Sequence, residues 1–470
     1  MTFCEYLYAL KDKSVAVVGA GISNTPLIMA LLEAGIDTMV RDRRSRDELG
    51  GAAGVYEELG EKLRLGDDYL ANLDEDVIFR TPGLMPSNPA LLEAVKRGAV
   101  LTSEMEVFFE VCPCKIIAVT GSDGKTTTTS IIAEMLQREF MLRDEMSRGE
   151  GGTVHIGGNI GTPLLCKADS MNPENIAVLE LSSFQLITMK KSPDIAVVTN
   201  LAPNHLDIHT NMDEYVEAKR NIFMHQKCIN RVVLNFDNEH TRRFAEYAPG
   251  EVVFFSSREE VENGVYLAGG TIYDTGYGRR EAIIQADDIW LPGAHNIENF
   301  MAAFAAVRGI VNHSVMRETA AMFRGVKHRI EFVRELRGVR YFNDSIASSP
   351  TRAIAGLRAF DQKVILIAGG KGKGIAFDDL GDEIVARVKT LVLTGMTAEQ
   401  IRDCVVNASR YTGTPEILLR EDFTDAILVA AESAREGDIV LLSPACTSFD
   451  RFKNFEERGN MFKDIVKRLE

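Results

Sequence analysis

Along most of the chain, short apolar runs closed by glycine-bearing turns alternate with stretches whose apolar residues recur at helical spacing. The runs predict buried strands, and the periodic stretches predict helices packed against them. In the first part, strands are predicted at Ser14–Val18, up to Val40-Arg41-Asp42, at Val77–Phe79 and at Val100–Thr102. Helices over Pro26–Glu33 and Asn88–Arg97 lie between them and complete an α/β unit of roughly a hundred residues. A second series starts at Lys115, with strands at Ile116–Val119, Ile176–Leu179 and Ile195–Thr199 and helices over Thr126–Gln137, Met212–Gln226 and Ile297–Val307. A third starts near Val326, with strands at Arg340–Asn343, Val364–Ala368, Leu391–Thr394 and Ile439–Leu442. Strand–helix alternation of this kind predicts mostly parallel sheets. The class is therefore α/β, in three domains: a Rossmann-like one over 1–112, a central sheet of the P-loop ATPase type over 113–325, and a second Rossmann-like one over 326–470.

Composition narrows the function. A chain of 470 residues is too long for one core. Its 45% hydrophobic and 26% charged residues are those of an ordinary globular protein. A net charge of −15 argues against binding a nucleic-acid backbone. The seven cysteines are scattered, and Cys112-Pro113-Cys114 is a C-x-C. Reduced thiols, and hence a cytoplasmic location, are expected. No basic segment precedes an apolar run at the start, so no signal peptide is predicted. No apolar run approaches a membrane span. A monomer is expected.

The chemistry centres on Gly121-Ser122-Asp123-Gly124-Lys125-Thr126-Thr127, between a predicted strand and a helix. Backbone amides of such a loop, with the positive end of the helix, form an anion site. Lys125 can reach outer phosphates, and the Thr126 hydroxyl can ligate Mg²⁺. Val119 stands where the full Walker pattern has its first glycine, yet the Lys-Thr pair still favours ATP over a plain turn. Glu180 ends a strand, where an acid facing the loop can hold Mg²⁺ directly or through water. Asn159, in Gly157-Gly158-Asn159-Ile160-Gly161, is either a turn residue or a ligand contact. Asn296 and Asn299 open a helix, where they either cap it or meet an adenine edge. Gly19-Ala20-Gly21 with Asp42 suits a nucleotide-type ligand more than NAD, because Asn24 replaces the third glycine of the dinucleotide pattern. The run from Ser443 to Gly459 carries an unusual density of functional groups.

Taken in order, T-G-S-D-G-K-T, G-G-N-I-G, E-L-S-S-F-Q-L, N-H-L-D, E-A-K, H-N-x-x-N, H-R, N-D-S and S-P-A-C-x-S-F-D-x-F-K-N-F-E-x-R-G resemble the Mur ligase family across all three units. The C-terminal run resembles the branch that adds D-glutamate, and the D-N-P-R of the ligase for the next, dibasic residue is missing. The resemblance implies an ATP-dependent ligase joining D-glutamate to UDP-N-acetylmuramoyl-L-alanine through an acyl phosphate, in peptidoglycan precursor synthesis. It implies ATP held by the loop residues with Asn296, Asn299, Arg329 and Asp344. Two Mg²⁺ ions are implied on Thr126, Glu180, His205 and a carbamylated Lys219, with Lys125 on the phosphates. From the residues alone, Lys219 reads as an exposed helix lysine. Ile22, Ser23, Asp42, Arg43, Arg44, Thr81, Asn159 and His205 would receive the UDP substrate. Ser348, Lys373, Ser448, Phe449 and Phe455 would frame D-glutamate.

The chain departs from relatives at two points: Ile346 stands where a lysine is common, and Lys371 where an aspartate is. The alternatives are another Mur-type or folylpolyglutamate synthetase-like ligase, or a NAD-binding regulatory protein. The regulatory reading leaves Lys125, Glu180, His205 and Lys219 without a role.

Overall fold

The computed structural model describes residues 1–21, 23–49, 59–60, 62–147, 151–203, 211–291, 293–372 and 375–470. Of the expected site residues, Ile22, His205 and Lys373 lie outside the described residues. The first sheet comprises β1 (Ser14–Val18), β2 (Asp37–Asp42), β3 (Leu63–Leu65), β4 (Val77–Arg80) and β5 (Val100–Thr102). They run parallel in the order β3-β2-β1-β4-β5. The second sheet has β6 (Lys115–Thr120), β7 (Val154–Gly158), β8 (Ile176–Glu180), β9 (Ile195–Val198), β10 (Arg231–Asn235) and β11 (Glu251–Ser256). It continues through β12 (Gly264–Ala268), β13 (Thr271–Asp274) and β14 (Glu281–Gln285). Its order is β14-β13-β12-β11-β10-β9-β6-β8-β7, parallel from β7 through to β12, with an antiparallel extension formed by the β12–β13 and β13–β14 pairings. The third sheet holds β15 (Glu331–Leu336), β16 (Val339–Asn343), β17 (Val364–Ala368), β18 (Val388–Leu393), β19 (Glu416–Leu419) and β20 (Ile439–Leu442). Its order is β15-β16-β20-β17-β18-β19, with only β15 antiparallel.

The chain divides into two compact units, Met1–Met322 and Phe323–Glu470. In the first unit one apolar core runs from the first sheet into the second, joining Phe3, Val17 and Phe108 to Ala118, Leu164 and Tyr215. Polar ties follow the same seam. The Asp169 carboxylate accepts from the N–H groups of Phe3 and Cys4, and the Arg80 guanidinium donates to Phe184 O and Thr188 Oγ1. In the second unit, β16, β17, β18 and β20 bury side chains on both faces, as parallel strands do. In the first two sheets the strand order reverses beside a central strand, β1 or β6, and in the third the last strand, β20, is inserted between β16 and β17. Ligands bind outside the carboxyl ends of strands at such reversals. Among the described residues no helix is long and apolar enough to cross a membrane.

Candidate active site

Strand register assembles the candidate phosphate site. Val119 of β6 pairs with Glu180 of β8, and Gly158 of β7 pairs with the same Glu180. The end of β6, the helix start at Lys125 and Asn159 therefore converge on one carboxylate. Thr126 Oγ1 donates to Glu180 Oε2 at 2.6 Å, and Asn159 Nδ2 donates to Oε1 at 2.8 Å. Glu180 and Thr126 are both buried. Lys125 Nζ folds over the loop, 2.9 Å from Gly121 O and 3.0 Å from Ser122 O. Two glycines are required here. Gly121 has φ +151°, and a Cβ would meet Thr199 Oγ1 at 1.9 Å; Gly124 has φ +77°, and a Cβ would meet Asn299 Oδ1 at 2.2 Å. Asn299 in turn accepts from Thr128 Oγ1 and donates to Asn296 Oδ1, so on the Ala294–Val307 helix Asn299 stands against the loop and Asn296 is bonded to it. Asp123 is exposed and Thr127 half-buried on the first turn.

Lys219 is only 1% exposed, contrary to the reading of its sequence position as a solvated helix lysine. The Met212–Met224 helix turns Tyr215, Ala218, Lys219, Ile222 and Phe223 into the core, and the lysine falls inside that apolar stripe. Its Nζ donates to Gly121 O at 2.9 Å and Thr120 Oγ1 at 3.2 Å, and lies 4.9 Å from the Tyr215 ring centre. Burial, reinforced by the nearby charge of Lys125, holds its ammonium well below the usual lysine range. The amine thus points into the loop from beneath.

Several supports escaped sequence reading. Thr199 Oγ1 donates to Asp123 O at 2.5 Å, Asn200 Oδ1 accepts from Asp123 N, and Tyr215 Oη contacts Ser122 Oγ at 3.0 Å. The signal was available in the Thr199-Asn200 pair, because β9 neighbours β6 and ends beside the loop.

In the first sheet, the ends of β1, β2 and β4 bring Ser23, Asp42, Arg43, Arg44 and Thr81 to one edge. Asp42 accepts from Ala20 N at 2.7 Å and from the Arg44 guanidinium at 2.8 and 3.0 Å. Burial works against its charge, but the Arg44 and Ala20 donors prevail and hold the carboxyl below the usual range. Gly19, at φ +101°, lets Thr81 pack where a Cβ would collide. Asn24 ties the loop by donating to Gly19 O, which explains how the turn holds without a third glycine. Ser23 and Arg43 are exposed.

In the second unit, Asp344 follows β16 and is buried. Its carboxylate accepts from Ser443 Oγ at 2.7 Å and Ile330 N at 3.3 Å, and burial pushes it up to about 7. Arg329 is exposed nearby in sequence, and Ser348 is half-buried. Ser448 is buried after β20, Phe449 is 65% exposed, and Phe455 packs edge-on against His328. Lys371 pairs with Thr447 through two backbone hydrogen bonds of 3.0 Å, which fixes the β17 turn beside Ser448. Arg458 received no role from the sequence. Buried among these turns, it donates to Ser345 Oγ, Ser345 O and Cys446 O. Among the described residues no group of three or more His, Cys, Asp or Glu side chains forms a metal cluster.

Fold and loop together define an α/β protein with parallel-dominated sheets and a glycine loop between a central strand and a long helix. Residues 119–307 match the Mur ligase middle domain, and residues 328–446 the Mur ligase glutamate ligase domain. The chain is 48% identical over 470 residues to UDP-N-acetylmuramoylalanine–D-glutamate ligase of Clostridium novyi (strain NT), covering 100% of this chain and 99% of that one. It is 49% identical to the protein of the same name from Acetivibrio thermocellus, covering 99% and 98%. Among solved structures, UDP-N-acetylmuramate-alanine ligase from Thermotoga maritima superposes with TM-score 0.54 at 18% identity, over 97% of this chain and 99% of that one. MurF from Acinetobacter baumannii gives 0.54 at 14% identity over 79% and 82%, and both likenesses speak to fold. The chain belongs to the Mur ligase family.

Proposed function

We propose that this chain is an ATP-dependent ligase that joins D-glutamate to UDP-N-acetylmuramoyl-L-alanine, in the cytoplasm, during peptidoglycan precursor synthesis. The observation that carries the reading is 48% identity along the whole chain to a relative named for that reaction. The site supports it. Amide formation from a carboxylate is uphill, so the alanyl carboxylate first takes the γ-phosphoryl group of ATP. The amine of D-glutamate then attacks the acyl phosphate, and the tetrahedral adduct expels phosphate. Catalysis of this kind is positioning and charge stabilisation. Lys125 and the amides of Gly121–Thr127 would hold the outer phosphates. Asn296 and Asn299 would meet the nucleotide, joined by Arg329 and Asp344.

The donors around Glu180 fit Mg²⁺: a buried carboxylate and hydroxyl, 2.6 Å apart, are hard oxygen ligands. Thr126 and Glu180 would hold one ion, and His205 with a carbamylated Lys219 a second. Bound there, the ions supply charge neutralisation for the phosphoryl group. Carbamylation needs a neutral amine to attack carbon dioxide, and the burial of Lys219 supports this by disfavouring the ammonium. We assign residues 1–112 to the UDP-sugar, 113–325 to ATP and 326–470 to D-glutamate. Ile22, Ser23, Asp42, Arg43, Arg44, Thr81, Asn159 and His205 would receive the first, and Ser348, Lys373, Ser448, Phe449 and Phe455 the last.

The test is phosphate release with each Mur acceptor against a panel of amino acids. Release should require UDP-N-acetylmuramoyl-L-alanine and D-glutamate together. Turnover with a folyl substrate, or with another Mur acceptor and not this one, would overturn the reading.

A further inference from the structure

Away from the phosphate loop, two sulfurs meet. Cys112 Sγ and Cys114 Sγ are 3.4 Å apart across Pro113, and Cys112 Sγ is also 3.6 Å from Cys114 O. The contact is built by local structure. Cys112 caps the Glu104–Val111 helix, its N–H bonded to Phe108 O, and then turns to extended geometry at φ −64° and ψ 120°. Pro113 restricts the next backbone torsion, and Cys114 directly precedes β6. The two thiols are thus held together by the link between the first sheet's last helix and the strand that carries the phosphate loop. Both are free cysteines, Cys112 half-buried and Cys114 buried.

We propose that Cys112 and Cys114 form a redox modification site, where hydrogen peroxide converts the thiol pair to a disulfide. The contact divides the labour. Either sulfur can donate in the contact, which pushes the Cys112 thiol up and holds Cys114 below the usual thiol range, so Cys114 is assigned the thiolate. By contrast, the Asp169 carboxylate holds the Cys4 thiol up, and burial does so for Cys404. The Cys114 thiolate attacks one peroxide oxygen, forming an S–O bond as the O–O bond breaks, and hydroxide leaves. Cys112 sulfur then attacks the sulfenic sulfur, the S–O bond breaks, and the Cys112 proton leaves with the oxygen as water. Overall two thiols and one peroxide give one disulfide and two waters. Peroxide is small enough to approach a thiol whose residue is 7% exposed. A dithiol reductant reverses the change.

The experiment is peptide mass analysis of the intact, folded chain after graded hydrogen peroxide, with free thiols alkylated first. The peptide spanning 112–114 should lose two hydrogens and all alkylation at both cysteines, before the exposed Cys4, Cys166 and Cys228 are oxidised. A dithiol should restore both labels. In Cys112→Ser the reaction should stop at a sulfenic acid on Cys114, trapped by a dione reagent. Full alkylation of both thiols while Cys4, Cys166 or Cys228 oxidise would overturn the proposal. So would sulfenic acid that accumulates on Cys112 in Cys114→Ser but never on Cys114 in Cys112→Ser.

Discussion

At Lys125 the amine donates to the loop carbonyls of Gly121 and Ser122 and the side chain is half-buried, so it contributes little to the apolar core that its removal could disturb. Lys125→Ala should therefore leave circular dichroism and melting near wild type while phosphate release falls by about two decades or more, roughly 3 kcal/mol of transition-state stabilisation. A folded variant with unchanged turnover would make the loop structural. Lys219 is different, because its amine lies in the apolar stripe of its helix and under the loop. Lys219→Ala should abolish turnover, and short carboxylic acids should restore part of it by filling the vacated anion position. Absence of both the loss and the rescue would remove the carbamate. The same position shows where sequence reading ends. A lysine at a core register of 215, 218, 219, 222 and 223 is visible in the sequence, but only packing reveals that the stripe is turned inward.

At the level of elements, Glu104 opens the helix that ends at Cys112 and accepts from Leu165 N at 3.2 Å, linking it to the short helical turn Leu165–Ser170. Burial pushes its carboxyl up to about 7, against 4.5 for the ordinary group. Between those values the folded chain binds more protons than the unfolded one, so this group makes stability fall as pH rises through that window and level off above it. Glu104→Gln should match wild type near pH 5 and exceed it near pH 8, by up to about 3 kcal/mol. Melting curves of both proteins across that range check this; a constant difference would mean the carboxyl does not titrate there. Asp344 adds a fall of the same sign to both proteins and cancels in the comparison. Most parallel strands were legible because continuous apolar runs such as Ile176–Leu179 and Val364–Ala368 have no other place to go. The antiparallel extension was not. Glu281–Gln285 mixes buried and exposed residues at a sheet edge and gives no such run. The helix read as ending at Gln137 continues to Ser147, carried past its apolar face by polar residues with good helix propensity.

For the whole molecule, the three sheets were legible as three strand–helix series, but which of them share a core was not. That depends on which helix faces meet, and Phe3, Phe108, Leu164 and Tyr215 lie far apart in sequence. Their common core has a consequence for dissection. A cut between residues 112 and 113 would expose the apolar seam along which Phe3 and Cys4 bond Asp169 and Arg80 bonds Phe184. A cut between Met322 and Phe323 leaves each piece with its own core, since the third sheet is covered on both faces by residues of its own unit, among them Leu357, Ile384, Ile427 and Phe462. Expressed separately, 1–322 and 323–470 should each be soluble and unfold cooperatively, whereas 113–322 should aggregate. The 1–322 piece keeps Lys125, Thr126, Glu180, Asn296 and Asn299, so calorimetry should detect an ATP analogue binding to it. It lacks Asp344, Ser448 and Phe455, and should therefore form no amide with D-glutamate. Soluble, cooperative 113–322 would show that the shared core is dispensable. Amide formation by 1–322 alone would remove the C-terminal unit from the reaction.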